Sequence, residues 1–300
     1  MADQRDRFGD TRSGDRSKAR QRNRMNVDSH MSSHPKNVSD TDNAVPHPLA
    51  LDVRGLRVRY GSFIAVDAVD LTVRSGEIFG LLGPNGAGKT SALSAIEGLI
   101  SPDEGSIMVG DVDARAHPLG AKALMGVQLQ STSFHADLTI TEIIRLYAGL
   151  YGVQLSGAQI RDRLAEINLQ QETSKRFREL SGGQQQRLSL MIATIHNPPL
   201  ALLDEPTAGL DPQSRRQLWD RIERIRKEGH SILLTTHSME EAQSVCDRIA
   251  IMDHGTILTV DTPSGLIAKH RDDPRVREVA RGEVTLEDVF IGLTGREIRD

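Results

Sequence analysis

Eight residues constrain this chain more than any other stretch: Gly83-Pro84-Asn85-Gly86-Ala87-Gly88-Lys89-Thr90. They fit the pattern G-x-x-x-x-G-K-[ST], and their flanks are the ones that pattern requires. Before them runs Ile78-Phe79-Gly80-Leu81-Leu82, an unbroken apolar segment that predicts a parallel strand covered on both faces. After them, Thr90 to Leu99 predicts a helix stopped by Ser101-Pro102. Glycines let successive backbone N–H groups curl around a polyphosphate without Cβ clashes. The helix N-terminus adds positive potential. At this spacing Lys89 reaches the β- and γ-phosphates of a nucleotide, and Thr90 is placed to ligate Mg2+.

The rest of the chain alternates in a way that suits such a loop. Leu51 and Val53 alternate with polar residues, and after Gly55 the apolar set moves to Leu56, Val58 and Tyr60, which predicts a strand with a bulge. Val66, Val69, Leu71 and Val73 predict a second short strand, and residues 105–113 another. Helical spacing begins at Ile140, with Thr139/Glu142 and Ser156/Gln159 as capping boxes, and continues to Asn197-Pro198-Pro199. Leu200–Leu203 and Ser231–Thr236 predict buried strands around a helix that Asp211-Pro212 opens and Gly229 closes. Ser238 and Glu241 cap a further helix. Ile249–Met252 and Ile257–Val260 flank the turn Asp253-His254-Gly255. Strands alternating with helices imply an α/β fold on a parallel sheet, with the helical block at about 132–196 inserted into it. Leu286, Val289, Phe290 and Leu293 share one helical face near the end.

Residues 1–46 differ in composition. Ser, Asp, Asn, Arg and His dominate, with nine basic and seven acidic side chains, and too little apolar surface to offset the entropy of ordering. They predict a disordered polar tail. The 300-residue chain carries 37 Lys and Arg against 41 Asp and Glu, a net −4 that disfavours a dedicated nucleic-acid binder. Cys246 stands alone, which excludes an internal disulfide framework and fits a reducing compartment. No apolar run approaches the ~18 residues of a bilayer span. The opening residues lack a secretory signal's apolar core, so a cytoplasmic location is expected.

Two further motifs carry chemistry. Leu200-Ala201-Leu202-Leu203-Asp204-Glu205 ends a buried strand on two carboxylates, where α/β sheets bind ligands. Asp204 suits the Mg2+ shell, and Glu205 suits a general base toward an attacking water. Leu180-Ser181-Gly182-Gly183-Gln184 opens a helix with a capping box and two glycines, a second anion cradle. One nucleotide has a single γ-phosphate, so this cradle either completes the same site or serves another chain.

With these motifs in order, the chain from about Leu51 to Ile267 resembles the nucleotide-binding subunit of ATP-binding cassette (ABC) transporters. The resemblance implies a RecA-like P-loop NTPase core with an antiparallel β subdomain and a helical subdomain. It implies a cassette over 47–270 and a short C-terminal extension over 271–300. By resemblance Tyr60 stacks on the adenine of ATP. Gln130, in preference to the nearby Gln128, contacts Mg2+ and water and links to the membrane partner. Ala208-Gly209-Leu210-Asp211 is similar to the D-loop, and His237 to the switch histidine. The implied assembly is a head-to-tail dimer of two cassettes bound to a separate membrane permease at the cytoplasmic face of the membrane. Thr285–Gly295 is similar to the C-terminal signature of the drug-exporter type, which implies export. The link from Leu266 to Thr285 is shorter than that type leads one to expect, which puts a C-terminal regulatory fold in doubt. Cassette ATPases that act without a permease, on ribosomes, DNA or cluster assembly, form a second class. The lack of sustained heptads and the single phosphate-binding loop both weigh against it.

Overall fold

The computed structural model describes residues 48–129 and 134–295. The tail expected over 1–46 and the candidate ligand Gln130 lie outside the described residues. The chain divides into two units, and everything described belongs to the second, 45–300.

The first half builds a hairpin and then the loop-bearing strand. β1 (Leu49–Tyr60) and β2 (Phe63–Arg74) pair antiparallel, and the register slips between Val53 and Leu56. Gly55 sits in that slip at φ 57° and its N–H donates to Asp70, so the bulge falls at the expected glycine. β2 is a full twelve residues, longer than its apolar residues suggest. β3 (Ile78–Leu82) is buried at all five positions, and α1 (Lys89–Ile96) follows the glycine-rich loop. The stretch expected as one strand over 105–113 is two, β4 (Glu104–Val109) and β5 (Val112–Asp113), turning at Gly110 with φ 55°. α2 (Pro118–Ala123) leads into β6 (Met125–Gln128).

The helical block contains α3 (Ile140–Leu150), α4 (Gly157–Glu166) and α5 (Gly182–Ala193), each opened by a capping box at Thr139, Ser156 or Ser181. Each cap contributes about 1 kcal/mol. Ile140, Ile143, Ile144, Leu164 and Leu188 are fully buried against one another in a core of their own. Burial of that kind stabilises by ~2 kcal/mol per side chain.

The chain then returns to the sheet as β7 (Leu200–Asp204), α6 (Pro212–Lys227), β8 (Ser231–Thr236), α7 (Met239–Val245), β9 (Arg248–Asp253) and β10 (Thr256–Asp261). Three short helices finish it: α8 (Pro263–His270), α9 (Pro274–Val279) and α10 (Leu286–Thr294). The six-stranded sheet runs β10-β9-β3-β8-β7-β6, parallel except at β10. The four-stranded sheet runs β2-β1-β4-β5, antiparallel throughout. One core lies between the two sheets and includes α1. The other covers the opposite face of the parallel sheet, where α6, Cys246 and the three final helices pack. Cys246 is buried on extended backbone just past α7, and Trp219 is half-buried against the same core.

Candidate nucleotide site

Parallel pairing brings the ends of β3, β7 and β8 level, with Leu82 opposite Thr236 and Asp204 opposite Thr235. The glycine-rich loop springs from that edge. Gly88 sits at φ 103°, and a Cβ there would lie 2.3 Å from the Ala65 carbonyl oxygen, so only glycine fits. Lys89 is buried in the loop, its Nζ donating to the Gly83 oxygen at 2.8 Å and the Pro84 oxygen at 3.2 Å. Burial pushes the Lys89 ammonium below its ordinary range, and the Glu205 and Asp204 charges pull it back.

A relay of hydrogen bonds shapes the two carboxylates. The Glu205 N–H donates to Thr235 Oγ1 at 2.9 Å, and that hydroxyl donates to Asp204. Glu205 holds φ 43°, a left-handed backbone that a non-glycine residue adopts only at a cost of about 1–3 kcal/mol. That turn carries the Glu205 carboxylate to 3.9 Å from Lys89 Nζ and 3.4 Å from His237 Nδ1. His237 follows β8 directly and stays partly open to solvent.

Burial raises the Asp204 carboxyl above its usual range, against the lowering effect of the Thr235 hydrogen bond, and Thr90 also bonds to it. An anion beside Lys89 and a divalent cation beside Asp204 would each reverse these shifts, which is the electrostatic fit for nucleotide phosphates with a metal. Among the described residues no cluster of three metal-ligating side chains exists. Mg2+ needs none, since one or two protein oxygens suffice beside water and phosphate. Thr90 and Asp204 supply hard oxygens of that kind.

A cavity of about 260 Å³ opens beside the loop, lined by Asn85 to Ser91, Glu205 and the exposed ring of Tyr60. None of Ser181, Gly182, Gly183 or Gln184 lines it. They form the start of α5, with Ser181 and Gly182 exposed and Gly183 buried, and the Ser181 hydroxyl accepts from the Gln184 N–H. Gly183 packs so closely on α6 that a Cβ would lie 2.5 Å from Ser214 Oγ. Asp211 caps α6, accepting from the N–H groups of Gln213 and Ser214, and the Ser214 hydrogen bonds hold it below the usual carboxylate range. Gln128 ends β6 and donates to Gln186 on α5.

One titratable neighbour escapes the sequence reading. Glu97 caps the end of α1, is buried, and has a carboxyl oxygen without a hydrogen-bond partner. Burial first, and the Asp204 charge second, push it up to about 7. In the unfolded chain it ionises near 4.5, so its contribution is intact below that pH and is lost as pH rises through 7. The loss approaches ~3 kcal/mol above pH 8. Glu97→Gln, which stays neutral, should raise the melting temperature at pH 8 by about 5 °C. It should change it little at pH 4.5, and equal gains at both pH values would refute ionisation as the cause.

The loop, the paired carboxylates and the parallel strand edge define a P-loop NTPase. Residues 66–208 match the ABC transporter family. The chain is 34% identical to the Nod factor export ATP-binding protein I of Ralstonia nicotianae, over 83% of this chain and 95% of that protein. It is 35% identical to the protein of the same name from Cupriavidus metallidurans, over 83% and 99%. Among solved structures it is similar to an ATP-binding subunit of an ABC transporter, with TM-score 0.71 and 27% identity, over 81% of this chain and 99% of that one. An ATP-binding cassette in its ADP conformation shares the fold at TM-score 0.65 and 22% identity, over 77% and 97%. The chain belongs to the ABC transporter family, as an ATP-binding subunit with ATPase activity.

Proposed function

We propose that this subunit hydrolyses MgATP at sites shared between two copies arranged head to tail, and so powers a separate membrane permease that exports an amphipathic, lipid-like or drug-like compound. The observation that carries the shared site is the separation of the two phosphate cradles. Ser181 and Gly182 stand exposed and none of the four cradle residues lines the Lys89 cavity, which supports a second chain as the source of this cradle. Export rests on the names of the relatives and on the Thr285–Gly295 resemblance. Among the described residues no helix is long and apolar enough to cross a membrane, which leaves the path for cargo to another chain. Leu99, Leu119, Leu150 and Tyr151 stand exposed on segments that converge around β6, an apolar surface suited to such a partner. Lys122 of α2 donates to the Gly98 oxygen there, and the Tyr151 ring stacks on His196, which bonds the Met125 oxygen.

In this reading Tyr60 stacks on adenine and the loop N–H groups hold the phosphates. Lys89 exchanges neutral carbonyl acceptors for charged phosphate oxygens, a stronger bond. Thr90 and Asp204, with Gln130 by resemblance, would hold Mg2+, which when bound would supply charge neutralisation for the phosphates. Glu205 takes the proton of the attacking water, His237 steadies the Glu205 carboxylate from 3.4 Å, and Asp211 fixes the D-loop facing the other chain.

Mixing two inactive variants tests the shared site. Lys89→Ala breaks the loop, and Ser181→Arg blocks the second cradle. Each alone should be inactive, because every composite site has one broken half. In the mixed dimer one site joins two intact halves, so ATPase should return to at most about half of wild type. If the two sites work only together, energy transfer between labelled chains reports ATP-driven pairing instead. Absence of both signals from folded variants overturns the head-to-tail arrangement.

A further inference from the structure

We propose that Glu241 is a positioning residue for hydrolysis: its carboxylate ties the segment carrying Glu205 to the segment carrying His237. The inference rests on the reading of those two residues given above. Spacing from Ser238 marks Glu241 as an ordinary member of a helix cap, and its N–H does donate to Ser238 Oγ at 3.3 Å. Its side chain turns the other way, inward, and is 4% exposed. One carboxylate oxygen accepts from Thr207 Oγ1 at 2.5 Å, and the other accepts from Thr236 Oγ1 at 3.1 Å. Arg215 Nε lies 3.4 Å from the first oxygen.

Each partner leads to the site. Thr207 stands two residues past Glu205, in the turn that Ala208 closes by donating to the Glu205 oxygen. Thr236 directly precedes His237, and its hydroxyl also accepts from the Ser238 N–H. Arg215 lies in the first turn of α6, one turn from the Asp211 cap. A single buried carboxylate therefore joins the ends of β7 and β8 to the start of α6. An ionised carboxylate suits this junction because it accepts on both oxygens and donates nothing. Its bonds are charge-assisted, and in a buried setting they fix geometry more firmly than neutral pairs. The Glu205–His237 separation of 3.4 Å is the quantity so fixed. Displacing a reacting group by about 1 Å can cost 100-fold in rate, so the bridge is worth more to turnover than to folding.

The test separates the bridge from general stability. Thr207→Val and Thr236→Val each remove one arm while keeping side-chain shape. Each should lower kcat by about 10-fold with KM for MgATP held within about twofold, since the phosphate loop is untouched. Thr207→Ser and Thr236→Ser should restore most of the rate. Glu241→Gln should lower kcat by about 30-fold, and adding Thr236→Val to it should cost little more: the amide oxygen stays with Thr207 and Arg215, and the NH2 that replaces the other oxygen cannot accept from Thr236, so both changes remove the same bond. Melting temperatures of the Val variants should stay near wild type. Unchanged kcat in Glu241→Gln and both Val variants overturns the proposal. So does a fall in kcat matched by falls in melting temperature and by a raised KM, without rescue by Ser. Glu205→Gln run alongside separates the two readings. Full turnover in that variant overturns the site assignment itself, whereas its inactivity together with full turnover in Glu241→Gln overturns the bridge alone.

Discussion

Glu205→Gln is expected to bind MgATP as wild type does and to hydrolyse it at least about 1000-fold more slowly, since a general base contributes factors of that order. The amide keeps the shape of the side chain and loses its basicity. Its left-handed backbone and the Thr235 relay are unaffected, because both depend on the Glu205 N–H rather than its side chain. Binding without hydrolysis should trap the ATP-bound pair of chains. Light scattering with MgATP would then show a long-lived dimer that wild type forms only transiently. Turnover within tenfold of wild type would remove Glu205 from the reaction. A monomer at high protein and ATP would count against the paired arrangement.

Lys89→Ala is the second large effect. In the proposed reading the Lys89 ammonium is the point charge that meets the β- and γ-phosphates, and its loss should abolish measurable hydrolysis. MgATP affinity should fall about 10- to 100-fold, or ~1.4–2.8 kcal/mol. The fold should tolerate the change. Lys89 is held buried with its ionisation disfavoured, so its removal relieves a desolvated charge while giving up two bonds to loop carbonyls. Thermal melts without nucleotide should therefore lie within a few degrees of wild type, and melts with MgATP should lose most of the wild-type upward shift. Turnover at the wild-type rate would overturn the assignment of Gly83–Thr90 as the phosphate cradle.

The glycine-rich loop between β3 and α1 was legible because its pattern is local: Gly83, Gly88, Lys89 and Thr90 fall within one short stretch, and the strand and helix beside them carry clear signals. The caps at Thr139, Ser156 and Ser181 were legible for the same reason. The antiparallel four-stranded sheet was expected from the family resemblance alone, because β1 pairs with β4 some fifty residues away and no local pattern encodes that partner. β6 went unread as a strand: Met125-Gly126-Val127-Gln128 has a glycine and a glutamine in four residues, although Gln128 is buried and bonded to Gln186. α8 and α9 each begin at a proline, the first directly after β10 and the second after the polar Arg271-Asp272-Asp273, and look like loop until their buried residues, Leu266 and Val276, are seen in the core beneath the parallel sheet. Glu97 and Glu241 have the spacing of solvent-facing carboxylates at helix ends. Only the fold reveals that one has a buried carboxyl oxygen without a hydrogen-bond partner and the other is buried with three partners.

The packing of α10 bears on how the molecule is made. Leu286, Val289 and Phe290 are fully buried beneath the parallel sheet, in one core with Ile78 of β3 and Leu203 of β7. The ribosome delivers β3 (Ile78–Leu82) and the glycine-rich loop well before α10 (Leu286–Thr294). Until then α6, α8 and α9 cover only part of the underside of the sheet, and the apolar surface that Leu286, Val289 and Phe290 bury stays open to chaperones and proteases. A nascent chain broken off before Thr285 should therefore leave part of that core exposed to quality control, even though every candidate nucleotide motif had already been translated.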